Sequence, residues 1–275
     1  VSWHFGNASY EGTQTAILAP NETAEADFIF GIGYETVAAA TSAKHLLPIG
    51  YERAHADTLQ WLKERTLDVP DQKIKQLLNT NLFFSFFYAS GKTLDTEEFC
   101  LMTSRSPRYY VSAAYWDRDS LLWSFPAIVL TDTAYAREIL YYVFEKQIRN
   151  VGMHSRFIDG TLLEPGFELD ELCAPVIALE RYIARSGDRS FLSIPIVQNG
   201  LKRILNLLKT KKHPKEDLYE TFLQPTDDEV VYPYLTYDNV LVWRALTLLA
   251  DYVEQKDLLE SSATGAQRHF NALCT

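Results

Sequence analysis

Cysteine is scarce, with Cys100, Cys173 and Cys274 the only three in 275 residues. They lie far apart and form no Cys-x-x-Cys, which excludes a disulfide framework and a zinc knuckle and fits a reducing, cytoplasmic setting. Histidine is also thin, with six residues and no pair at i,i+4 spacing. No metal is therefore expected, and no other feature demands an organic cofactor. No apolar run reaches the ~18 residues of a membrane span. No basic segment leads into an apolar one, so no secretory leader is expected. The sequence opens at Val1, as an excised or processed piece would. Positive charge is in deficit, with 26 Lys and Arg against 36 Asp and Glu and a net charge of −10. A field of that sign repels phosphates, which argues against nucleic acid and anionic membranes as partners. Catalytic signatures of other classes are missing. No Gly-x-Ser-x-Gly occurs. Gly91-Lys92-Thr93 lacks the glycine-rich half of a phosphate loop, and Gly31-Ile32-Gly33 lacks the third glycine of a dinucleotide loop.

What remains is ordinary globular material, 47% hydrophobic and 23% charged, too apolar to stay disordered. Sixteen Tyr, 15 Phe and five Trp supply either a large core or flat rings for a sugar site. Asn7 and Asn21 head glycosylation sequons that matter only in a secreted protein.

The apolar stretches 13–20 and 25–34, bounded by Gly, Pro and Asn, predict strands, as at the tail of a β-domain. From about residue 35 the hydrophobic period turns helical. Asp71 suits a helix N-cap, and the helix expected over 71–90 is apolar on nearly all sides. Helix candidates then come in pairs: 117–131 with 133–150, 170–186 with 190–212, and 237–255 with 257–273. The first of each pair is strongly apolar and the second carries more charge. An inner ring of buried helices inside a wetter outer ring produces that alternation. The fold expected is thus mainly α, an (α/α)6 toroid of helical hairpins behind a short β-rich segment. Its parts would be 1–45 (end of a β-domain), 46–70 (linker helix) and 71–275 (hairpin domain).

Long loops, 91–116, 151–169 and 213–236, precede the inner helices and would meet at one end of the toroid. Each delivers acids to a helix start. Tyr115-Trp116-Asp117-Arg118-Asp119 offers a planar fork of donors, carboxylate acceptors and a ring for a pyranose face. Glu164-Pro165-Gly166-Phe167-Glu168-Leu169-Asp170-Glu171 packs four acids before an apolar helix. There, crowding and burial can raise a carboxyl pKa enough to make a proton donor. Tyr237 and Asp238 repeat the pattern once more. Every one of these acids could equally be a helix cap.

The three clusters, in this order on a hairpin repeat, resemble the six-hairpin glycosidases: glucoamylases, the amylo-1,6-glucosidase part of glycogen debranching enzymes, and related disaccharide phosphorylases. Trp116-Asp117-Arg118-Asp119-Ser120 resembles the debranching-type Trp-Gly-Arg-Asp-Thr stretch, with Asp117 in place of glycine. The following residues 121–140 are similar to that group's leucine- and proline-rich helix and its continuation. Gly166-Phe167-Glu168-Leu169-Asp170-Glu171 is similar to the glucoamylase stretch Gly-Tyr-Asp-Leu-Trp-Glu and to bacterial variants ending Leu-Asp-Glu. The resemblance implies an α-glycoside hydrolase working by inversion with two carboxylates. Arg118 and Asp119 would bind the terminal sugar, with Tyr115, Trp116, Glu168, Tyr237 and Asp238 around it. Glu171, which matches the glucoamylase general acid, is the proton donor the resemblance implies first, and Asp170, the donor on the debranching-type pattern, is second. Fewer helices are visible than a full ring needs, so an incomplete ring is expected, with the second carboxylate beyond Thr275. The alternatives are an inverting phosphorylase on the same scaffold and a non-catalytic helical scaffold in which the acids only cap helices. No feature speaks to oligomeric state.

Overall fold

Beyond Thr13, the apolar stretches expected as strands form none among the described residues up to 34. In the structure, a computed structural model, residues 15–34 run without a ladder partner. The structure describes residues 2–252 except 7, 8, 14, 107, 110 and 112, with side chains from residue 13 onward. The strands of this region lie earlier, as an antiparallel hairpin of β1 (Ser2–Gly6) and β2 (Ser9–Thr13). The 25–34 stretch is used otherwise. Gly31 and Gly33 press against helix α1 (Thr36–Leu46), where an added Cβ at Gly31 would lie 1.8 Å from the Ala39 carbonyl oxygen. Two glycines are therefore required by close backbone approach, not by a turn or a phosphate. Helix α2 (Gly50–Arg65) follows. The chain divides into two compact units, 1–62 and 63–275.

The second unit is built from hairpins of helices. Helix α3 (Gln72–Ala89) starts on Asp71, whose side chain accepts from the Lys73 and Ile74 N–H groups. Contrary to the all-round burial expected of it, α3 buries one face, Leu82, Phe86 and Ala89. Ile74, Leu77, Phe84, Phe87 and Tyr88 stay open among the described residues. A short hairpin, β3 (Ser90–Lys92) and β4 (Phe99–Leu101), follows in the first long loop.

The expected first pair is present but wound unevenly. Its inner member begins as a π-helical turn, Arg118–Ser124, and continues as α4 (Phe125–Thr131). Its outer member is α5 (Thr133–Glu145), capped by Asp132. The second pair is α6 (Leu169–Ser186) and α7 (Pro195–Lys211), and α8 (Thr236–Tyr252) opens the third. The helix expected over 257–273, like Cys274, lies outside the described residues. Every residue from Phe167 to Leu179 is buried, because α6 packs against α4, α5, α7, α8 and the π-turn together. That places α6 at the centre of the unit, as the apolar run from Leu172 to Leu179 requires. The 151–169 loop holds structure that sequence pattern did not reveal. Strands β6 (Met153–Phe157) and β7 (Leu162–Phe167) form a hairpin, and β5 (Ala114–Tyr115) adds to its edge. This small sheet positions the site.

Candidate active site

Two buried guanidinium groups organise the acids. Arg118 is the first residue of the π-turn and Arg156 comes from β6. The cross-strand register sets Tyr115 opposite Arg156, with the guanidinium carbon 5.0 Å from the tyrosine ring centre. His154 and Arg156, two apart on one strand, are both buried. The β6–β7 ladder is irregular between Met153 and Arg156, the kind of bulge that re-aims side chains.

Arg156 forms the inner layer. Its Nη2 donates to Asp117 Oδ2 at 2.5 Å and to Glu171 Oε2 at 3.4 Å, and its Nη1 donates to the carbonyls of Gln147 and Asn150. Tyr115 donates its hydroxyl to Asp117 Oδ1 at 2.7 Å. Glu171 accepts the backbone N–H groups of Asp117 and Arg118. Both Glu171 oxygens are thus committed to the start of the π-turn, and the residue is 0% exposed. Burial pushes the Glu171 carboxyl well above its ordinary value, with Asp117 adding to the effect, and burial likewise raises Asp117.

Arg118 forms the outer layer. Its Nη1 donates to Glu168 and, at 3.2 Å, to Asp170 Oδ2, and its Nη2 donates to Asp227 Oδ1 at 2.6 Å. Asp119 Oδ2 stands 3.9 Å from Arg118 Nε. Burial opposes the Arg118 charge, but Asp170, Glu171 and Glu168 outweigh it and raise the pKa further. Glu168 also binds His154 Nδ1, and this bond raises the histidine pKa. Trp116 sets its ring edge-on to His154, 5.5 Å between centres. Burial lifts Asp170 to about 6, with Glu168 adding to the rise against the pull of Arg118. Burial, then Asp170 and Glu168, lift Asp238 to about 8. Neither oxygen of Asp238 has a hydrogen-bond partner among the described residues. Tyr237, half-exposed, is pushed up to about 12 by burial and by Asp170.

Eight of the nine sequence-predicted site residues, Tyr115, Arg118, Asp119, Glu168, Asp170, Glu171, Tyr237 and Asp238, therefore belong to one electrostatic cluster, and Trp116 joins it only through its ring contact with His154. Ordinary caps look different in this chain. Asp71 and Asp132 each accept two N–H groups of their own helices. Glu168 stands in the N-cap position of α6 and makes no cap bond, serving Arg118 and His154 instead. Sequence pattern missed His154, Arg156 and Asp227, which come from a strand and a turn far along the chain. Their only local signal was the polar pair His154 and Arg156 at strand spacing.

His154, Glu168 and Asp227 bring their ligand atoms within 4.8 Å of one another, the reach of a metal ion. Arg118 already donates to both carboxylates. The position where a cation would balance them is filled by the protein's own guanidinium, so the donor set does not suit a metal.

No family model matches the sequence, and no curated protein does. Two solved structures have the same fold. A metal-independent α-mannosidase from Streptococcus pneumoniae, in a non-productive complex with α-1,6-mannobiose, matches with a TM-score of 0.56 at 17% identity, over 82% of this chain and 62% of that one. A bacterial glucoamylase complexed with acarbose matches with a TM-score of 0.60 at 17% identity, over 87% of this chain and 34% of that one. The chain therefore shares the mainly helical, (α/α)6-type fold of these two structures. It spans less than two thirds of the length of either neighbour.

Proposed function

We propose that this protein is a glycoside hydrolase for α-linked saccharides that inverts the anomeric centre. Arg118 and Asp119 grip the terminal sugar. Asp170 is the proton donor, and Glu171, the other candidate, holds the π-turn in place. Asp170 sits beside Arg118 with a pKa near 6, so it carries a proton in mildly acidic solution. Glu171 has both oxygens taken up by backbone N–H groups of the π-turn, whereas Asp170, equally buried, faces Arg118 and accepts one N–H, that of Glu171. The inverting reaction needs a second carboxylate to activate water across the ring. On the resemblance it comes from late in the ring, outside the described residues.

One observation carries the reading. The acids that head α6 and the π-turn bond to buried arginines, and the cost of burying such charges is not explained by capping. That speaks against the non-catalytic scaffold. The surplus of carboxylates around Arg118 repels phosphate, which weighs against the phosphorylase. The sister folds with α-mannobiose and acarbose add support at the level of substrate class. Replacing Asp170 by Asn tests the assignment on maltose and α-1,6-mannobiose. Turnover is expected to drop by at least ~100-fold, with substrate affinity retained. Hydrolysis near the parent rate would remove Asp170 from the role, and a parent protein inert to every α-disaccharide would remove the proposal.

A further inference from the structure

Trp123 is the large aromatic near the Arg118 cluster that the reaction above leaves unused, and it is 61% exposed. Its position follows from the winding of the chain. Arg118 and Trp123 are five residues apart. At 3.6 residues per turn they would stand ~140° apart around the helix axis, on different faces. The π-turn Arg118–Ser124 closes after five residues instead, which returns Trp123 to the side of Arg118. The Arg118 guanidinium carbon lies 5.9 Å from the Trp123 ring centre. Trp116, the aromatic that sequence pattern singled out, is 6% exposed and turned edge-on to His154, so it offers no open face. Asp119, the neighbour of Arg118, has a side chain 28% exposed.

We infer that Trp123 is the stacking platform for a second hexose unit, next to the one held by Arg118 and Asp119; this rests on the glycosidase reading. A pyranose presents C–H groups on one face and hydroxyls around its rim. An open indole beside the part-exposed Asp119 carboxylate matches both, the ring meeting the C–H face and the carboxylate accepting from the rim, while the buried Arg118 guanidinium stands beside the ring. The π-turn thus performs two tasks in seven residues, aiming Arg118 inward to the acids and Trp123 outward to the chain of sugars. A monosaccharide fills the inner position and leaves Trp123 untouched, whereas an α-linked disaccharide or trisaccharide reaches it.

Calorimetric titration of the intact protein tests this. The ligands are glucose, maltose and maltotriose, with mannose and α-1,6-mannobiose in parallel, against the parent, Trp123→Ala and Trp123→Phe. The disaccharide and trisaccharide Kd values are expected to rise about tenfold in Trp123→Ala, to return most of the way in Trp123→Phe, and to leave the monosaccharide Kd unchanged. Equal loss for all chain lengths, or parent affinity throughout, overturns the inference. So does a shift in sedimentation from dimer to monomer in Trp123→Ala without a change in Kd, since a second copy would then be what covers the ring. Should Trp123→Ala fail to fold, Trp123→Gln supplies the non-stacking comparison. If the parent binds no saccharide, the glycosidase reading falls with the inference; if the parent binds and Trp123 variants bind alike, this inference falls alone.

Discussion

Asp238 stands at the start of α8 with 1% exposure and no hydrogen bond to either oxygen among the described residues. A buried carboxyl in that condition keeps its proton. Asp170 titrates at about 6 and Asp238 at about 8 in the folded protein, both raised from 3.8. The unfolded chain releases these protons near pH 4. The sign follows from linkage: the contribution to stability is whole below about pH 4 and is lost as pH rises through the folded values. Urea unfolding of Asp238→Asn between pH 5 and 9 should therefore show a flatter decline than the parent, chiefly up to about pH 8. An unchanged slope would mean that Asp238 is ionised in the fold. The rate obeys the same chemistry. With Asp170 as donor, turnover should fall on the alkaline side with a midpoint near pH 6. Glu171 belongs to stability instead. Glu171→Ala leaves the buried N–H groups of Asp117 and Arg118 without an acceptor, while Arg156 keeps Asp117, and is expected to cost ~2–5 kcal/mol by denaturant titration; Glu171→Gln, whose carbonyl still accepts, should cost less. Arg118, Asp119 and the acidic run up to Glu171 were legible because they are contiguous. The resemblance pointed to Glu171 first and Asp170 second; what it could not show was the direction in which two adjacent residues of a first turn face.

At the scale of elements, the small sheet β5–β6–β7 does the positioning, although its strands are two to six residues long. Such strands carry too little periodicity to read, and their pairing is set by partners elsewhere in the chain. The helices were legible because hydrophobic period and the cap Asp71 are local signals. The stretch at 13–34 misled because apolar residues near glycine suit a strand and also a segment laid against a helix. The π-turn was read as ordinary helix, since nothing in Arg118–Ser124 marks the extra residue per turn. Gly166 tests the sheet's role. Its φ of +137° lies in a region that favours glycine, and an added Cβ would meet Leu223 at 2.7 Å. Gly166→Ala should lose ~1–3 kcal/mol in denaturant titration. It should also weaken saccharide binding, because β7 leads directly into Glu168.

At the scale of the molecule, a net charge of −10 surrounds a site that is itself rich in carboxylates. Two buried arginines hold at least six acids, so several must stay protonated or exposed, and a neutral polyhydroxy ligand is the chemistry such a field admits. Ring architecture was legible in the alternation of apolar and charged helices, and the comparison with solved glycosidases establishes it as the fold. The convergence of the loops on one pair of arginines was not, since it depends on the pairing of β5 with β6, which sets Arg156 opposite Tyr115. The central claim is that this convergence cleaves α-glycosides with inversion. Following maltose and α-1,6-mannobiose with the intact protein by proton NMR tests it most directly. The β-anomer should appear first and mutarotate afterwards, and the signal should vanish in Asp170→Asn. First release of the α-anomer, or no anomeric signal from any α-linked substrate, would contradict the account.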